Sequence, residues 1–233
     1  MKRLTTLLLI FSLLTCTSSV YGASKSTSNW KDAYKLIISK YVNSEDYGSD
    51  NLITLVDLDQ DGIPELFGGL AYRTVNNMEF AYTFKNGKVH SLKQTGPGQG
   101  DYDSGLGFNL GMQGFDKGKI RVFKHKQTGK PIVIVRDGTS SAVSSVVGDY
   151  AISLKGSKLV SQEISVSKQF EEGTEFSFKG KKMSKSNYDK NRVKYFSQFK
   201  QISSNAKQLD ALYVWRMMEE GWSKDKIVNN YIK

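Results

Sequence analysis

Residues 80–92, FAYTFKNGKVHSL, set Asn86-Gly87 between two runs that alternate apolar and polar side chains. An Asn-Gly pair tolerates positive φ at both central positions of a two-residue turn, so the chain doubles back there as an antiparallel hairpin. The pattern recurs downstream. KIRVFKHK and KPIVIVRDG are joined across Gly129-Lys130, and GDYAISLKGSKLVSQEISVS turns at Gly156-Ser157 before TEFSFKGKK. Upstream, NLITLVDL and ELFGGLAYRT are short strand-like runs on either side of an acidic turn. Strands joined this closely cannot be parallel neighbours, which need long crossovers. The middle of the chain is therefore expected to be an antiparallel meander.

Helical spacing takes over at both ends. In NWKDAYKLIISKYV, Trp30, Tyr34, Ile37, Ile38 and Tyr41 share one face, and Asn29 is placed to cap it. Ser184 precedes KSNYDKNRVKYFSQFKQI, where Tyr188, Val193, Phe196 and Phe199 predict a helix. NAKQLDALYVWRMMEEG and WSKDKIVNNYIK predict two more, the first ended by Gly221 and the second begun at Ser223. Leu209, Leu212, Val214, Trp215, Met218 and Trp222 read as core or packing residues, with an exposed partner-binding face as the alternative. The expected class is α+β: an antiparallel β meander with an N-terminal amphipathic helix and C-terminal helices. The expected division is a leader at 1–22, an α+β domain at 23–200 and a C-terminal helical extension at 201–233. Residues 95–118 hold eight glycines and few aliphatics, predicting a long loop or irregular crossing.

The leader has Lys2 and Arg3, an apolar run from Leu7 to Leu14, then small residues up to Gly22. Such a run is too short to span a bilayer and matches a secretory signal peptide cleaved after Gly22. The expected location is secreted or cell-surface. Cys16 is the one cysteine, so no disulfide can form within the chain. Leu13-Leu14-Thr15-Cys16 resembles a bacterial lipobox, which implies a lipid anchor on Cys16. An incidental cysteine in a discarded leader is the alternative. An exported domain without disulfides relies on its core, and on a metal where one is bound, for stability.

Charge is unevenly placed. The formal net charge of +10 hides a residue 23–116 segment with 8 basic and 12 acidic side chains, and a 117–233 segment with 23 and 11. A basic half on an exported protein fits attachment to an anionic cell-wall or surface polymer, phospholipid or nucleic acid; a solvated lysine surface is the plainer alternative. No arginine-rich, aromatic-studded stretch points to sequence-specific nucleic-acid binding.

The acidic turn carries the most chemistry. In LVDLDQDGIPELF, residues 55–67, Asp57, Asp59, Asp61 and Glu65 follow D-x-D-x-D-G-x-x-E. Crowded carboxylates repel, and a hard cation with oxygen ligands at ~2.3–2.6 Å removes that conflict. Gly62 supplies the sharp turn, and Pro64 restrains Ile63 to an extended form that can aim its carbonyl. The candidate ligands are Asp57, Asp59, Asp61, Ile63 and Glu65, and the expected ion is calcium. Magnesium, with its smaller octahedral site, fits less well.

The turn resembles the opening of an EF-hand, but the twelfth loop position is Gly68 rather than glutamate and the flanks are strand-like. It is more similar to the shorter calcium loops between strands in integrin-like extracellular repeats, whose ninth position is Asp or Glu. Together with the Trp/Tyr helix and the YTFKNGKV hairpin, it also resembles a group of exported bacterial proteins of poorly defined function, over residues 29–90.

Catalytic signatures are sparse. His90 and His125 are the only histidines, and no HExxH, CxxC, GxSxG or phosphate-binding loop is present. The favoured reading is an exported, calcium-binding, non-catalytic surface or extracellular protein. The alternative is a secreted hydrolase acting on cell-wall polymer or glycan through carboxylates, with Asp101 and Asp103, or Glu171, Glu172 and Glu175, as acid and base.

Overall fold

The computed structural model describes residues 29–72, 76–98 and 109–233; the leader, Cys16, Asp101 and Asp103 lie outside them. Along the chain run α1 (Trp30–Val42), β1 (Asn51–Val56), β2 (Glu65–Ala71), β3 (Asn76–Lys85), β4 (Lys88–Ser91) and β5 (Lys93–Thr95). There follow β6 (Arg121–His125), β7 (Pro131–Ser140), β8 (Ser145–Lys155), β9 (Lys158–Phe170), β10 (Gly173–Phe178) and β11 (Lys181–Met183). The chain closes with α2 (Lys185–Phe196), β12 (Phe199–Ile202), β13 (Lys207–Asp210), α3 (Ala211–Glu219) and α4 (Lys224–Tyr231).

Two antiparallel sheets result. The first has the order β13-β1-β2-β3-β4 and the second β11-β10-β9-β8-β7-β6-β12, with β5 added parallel to the start of β9. The α+β class is as the sequence predicts. Asn86 and Gly87 turn the β3–β4 hairpin at φ 53° and 72°, the left-handed pair that this turn demands.

The sheets stack face to face, and both outer faces are covered by helix. Leu52, Val56, Phe67 and Met78 of the first sheet meet Val133, Val135, Tyr150 and Val166 of the second in one core. On the other side of the first sheet, Ile53, Leu55, Leu66 and Leu209 pack with Tyr34 and Ile38 of α1, Val214 of α3 and Ile227 of α4. This explains NLITLV: all six residues of β1 are buried, because alternate side chains enter different cores. A smaller cluster of Phe123, Ile134 and Ile164 packs under Tyr195 and Phe196 of α2 on the outer face of the second sheet.

Three expectations change. The helix predicted through Phe199 stops at Phe196, and Phe199 begins an edge strand whose backbone pairs with β6 from His125 to Val122. Edge pairing satisfies backbone groups that a longer helix would leave bare on β6. The segment predicted as one helix from 205 starts as β13, paired with β1; Asp210 then caps α3 by accepting from Tyr213 N at 2.7 Å. Of the apolar residues assigned to packing, Leu209 and Val214 are buried, whereas Leu212, Trp215 and Met218 stay 63%, 43% and 41% exposed. Residues 201–233 thus contribute a strand to the first sheet and two helices to its cover.

The described end of the glycine-rich segment is no surface loop. Leu110, Met112 and Phe115 are fully buried between the sheets, and Phe115 stacks on Phe67 with centroids 4.1 Å apart. Thr54 Oγ1 donates to the Phe115 carbonyl at 2.7 Å and fixes this short turn (Met112–Phe115) to β1.

Candidate metal centre

The β1–β2 connection, residues 57–64, begins where a fully buried strand runs out into solvent. Its backbone is folded over its own aspartates. Asp59 Oδ1 accepts from Asp61 N at 3.3 Å, and Asp61 Oδ1 accepts from Ile63 N at 2.8 Å. Asp57 Oδ2 reaches across the turn to accept from Gly62 N at 3.0 Å, and Asp57 N donates to Asn205 Oδ1 at 3.4 Å. Gly62 takes φ 89°, and Gln60, with φ 62°, also stands in the left-handed region that costs a side-chain-bearing residue.

This curl brings three of the predicted ligands together. One carboxylate oxygen from each of Asp57, Asp59 and Asp61 lies within 4.8 Å of the others, so the group could hold a metal ion. Asp59 and Asp61 are exposed and Asp57 is partly buried. Turn hydrogen bonds alone account for Asp59 and Asp61, since such side chains commonly fold onto the backbone two residues on. They do not account for Asp57. Its Oδ1 is shut off from solvent and has no hydrogen-bond partner among the described residues. Burial, then the charges of Asp61 and Asp59, push its carboxyl above the usual range, against the pull of the Gly62 and Gln60 amides. A buried carboxylate oxygen without a partner is costly, and a cation at this position would satisfy it.

Glu65 is placed differently from these three. Glu65, at the start of β2, is buried and outside the converging group. Its Oε2 accepts from Leu58 N at 2.9 Å and its Oε1 from Thr83 Oγ1 at 3.1 Å, which ties the turn to β3. Burial pushes its carboxyl up to about 8, with Asp59 and Asp57 adding to the effect. The side chain of Ile63, whose carbonyl is the predicted ligand, is partly buried and packs against the helix-side core.

Elsewhere the predicted acids are engaged or outlying. Glu175 pairs with Lys182 at 2.8 Å on an exposed hairpin, and Glu171 and Glu172 are exposed at the β9–β10 turn. His90 contacts the Lys85 carbonyl at 3.2 Å, and His125 Nδ1 accepts from Gln127 N and Thr128 N at 3.3 Å. Among the described residues no helix is long and apolar enough to cross a membrane.

One cluster is invisible to motif reading. Asp149 on β8 is 2% exposed and sits among three guanidinium groups. Arg121 Nη2 donates to its Oδ1 at 2.5 Å and Arg192 Nη2 to its Oδ2 at 2.6 Å, while Arg136 Nη1 stands 3.6 Å from Oδ1. The available signal was composition: the chain has six arginines against 27 lysines, and three of the six meet here. Comparison of the chain with protein-family models, with curated proteins and with solved structures finds no match.

Proposed function

We propose that the Asp57–Asp59–Asp61 turn binds calcium, and that the chain is an exported, non-catalytic domain working at or near a bacterial surface. The observation that carries the ion is Asp57 Oδ1, buried and without a hydrogen-bond partner, on a carboxylate that converges with those of Asp59 and Asp61. Three hard oxygen donors at a sharp turn suit calcium, whose remaining positions water can fill. The ion would neutralise the repulsion within the turn and hold the β1–β2 connection, so its part is structural. Export rests on the leader, and attachment to anionic cell-wall or surface polymer rests on the basic 117–233 half.

Titration calorimetry of the purified chain tests the ion. Calcium should bind at one site with Kd of about 10⁻⁴–10⁻³ M, the range of extracellular modules, and magnesium more weakly. Absence of calcium binding at millimolar concentration would remove the basis of the reading.

A further inference from the structure

The cluster around Asp149 carries more positive charge than its carboxylate needs. A buried carboxylate is balanced by one guanidinium, and each additional cation brought beside it adds desolvation cost and mutual repulsion. Here Arg121 and Arg192 already occupy the two oxygens at 2.5 and 2.6 Å, and Ser165 Oγ donates to Oδ2 at 3.2 Å. Arg136, at 3.6 Å, is past hydrogen-bonding distance, and its side chain is 49% exposed. Among the described residues, no other carboxylate comes within ion-pairing distance of any of the three. The nearby acids are taken: Asp137 by Asn76 Nδ2 and the Gly111 amide, Asp189 by Lys185, and Glu163 by Ser177 Oγ and the Gly180 amide.

The guanidinium groups are also held in place. Arg121 and Arg192 lie 5.4 and 5.7 Å from the ring of Phe196, and Arg192 lies 5.5 Å from Tyr188. Arg192 Nε donates to Ser165 Oγ at 3.0 Å. Two arginines are thus fixed by a carboxylate and an aromatic ring, with a third, half-exposed, standing beside them. All three retain solvent access, with side-chain exposures of 26%, 49% and 27%. A planar fork of N–H donors is the group that recognises tetrahedral oxyanions in paired contacts, which lysine does only as a point charge.

We propose that Arg121, Arg136 and Arg192, gathered on Asp149, form a binding site for a phosphate-type oxyanion, with Arg136 closing on it from the open side. The site deepens the polymer-attachment reading of the basic half and is independent of the ion at Asp57. Its ligand is a phosphate group, either free or in the phosphodiester links of a surface polymer.

The test is a calorimetric titration of the full chain with inorganic phosphate, in chelator and at constant ionic strength, beside Arg136→Ala and Lys194→Ala. Saturable binding should weaken about tenfold or more in Arg136→Ala, the loss expected for a charged hydrogen-bonding partner. Lys194→Ala, which removes an exposed charge from α2, the helix that carries Arg192, should bind as the wild type does. No saturable binding by the wild type overturns the site, as does equal weakening by both variants, which would reveal only a diffuse field. A second arm measures retention on a glycerol-phosphate polymer. Retention lost in Arg136→Ala identifies the phosphodiester source. Retention equal in wild type and Arg136→Ala overturns the link to polymer, while the phosphate titration separately judges the site.

Discussion

Replacing Asp57 by Asn separates an ion site from an ordinary acidic turn, because the two predict opposite signs. Asparagine keeps a side-chain oxygen to accept from the Gly62 amide, now 3.0 Å from Oδ2, and puts a neutral amide nitrogen in place of the second carboxylate oxygen. In the ion-free chain that charge is a liability. At separations of up to 4.8 Å, each of its repulsions with Asp59 and Asp61 costs at least about 0.9 kcal/mol in water, before salt trims it. Neutralising Asp57 also removes the cost of burying a charge at that position. The variant in chelator should therefore melt at or slightly above the wild type. In ~1 mM calcium the order reverses. A site with Kd of about 10⁻⁴–10⁻³ M stabilises the wild type by about 0.4–1.4 kcal/mol, or about 1–6 °C in Tm for a chain of this size. Asp57→Asn should move by less than 1 °C, on the order of the resolution of such a melt. Scanning calorimetry of both chains with calcium and with chelator gives all four values. An equal calcium shift in both chains would refute the assignment of Asp57. A loss of several degrees by the variant in chelator would show that its carboxylate holds the turn without an ion.

Asp149→Asn should destabilise by about 3 kcal/mol, read from denaturant midpoints. Breaking a buried pair costs about 3–5 kcal/mol, and partial exposure of the arginines places this case at the low end. The same variant should expose α2 to proteolysis, since Arg192 is its polar tie to the sheet; resistance equal to the wild type would contradict that role. Gly68→Ala should cost about 1–3 kcal/mol, because an added Cβ would stand 2.0 Å from the Phe80 ring, itself packed edge-on to Tyr41. An unchanged midpoint would mean the ring swings aside freely.

Much of the fold was legible because its causes are local. Asn86-Gly87 dictates its hairpin by backbone preference alone, and Asn29, Ser184 and Ser223 each cap the predicted helix by accepting from a backbone amide two or three residues on. What failed depended on distant partners. Phe199 and Leu209 have side chains that suit a helix or a strand, and the open backbone edges of β6 and β1 decide for the strand. Leu110, Met112 and Phe115 lie in a glycine-rich stretch with no periodicity, and only the space between the sheets shows why they are apolar.

The candidate sites divide in the same way. The sequence by itself determined the acidic turn, since alternate aspartates before a glycine curl onto their own backbone within nine residues. Tertiary structure decided that Glu65 turns to Leu58 and Thr83, because that position enters a strand covered on both faces. It alone decided that Arg121, Arg136 and Arg192, up to 71 positions apart in the chain, share one carboxylate. Antiparallel register and a helix laid across it bring such residues together, and no local spacing encodes that meeting.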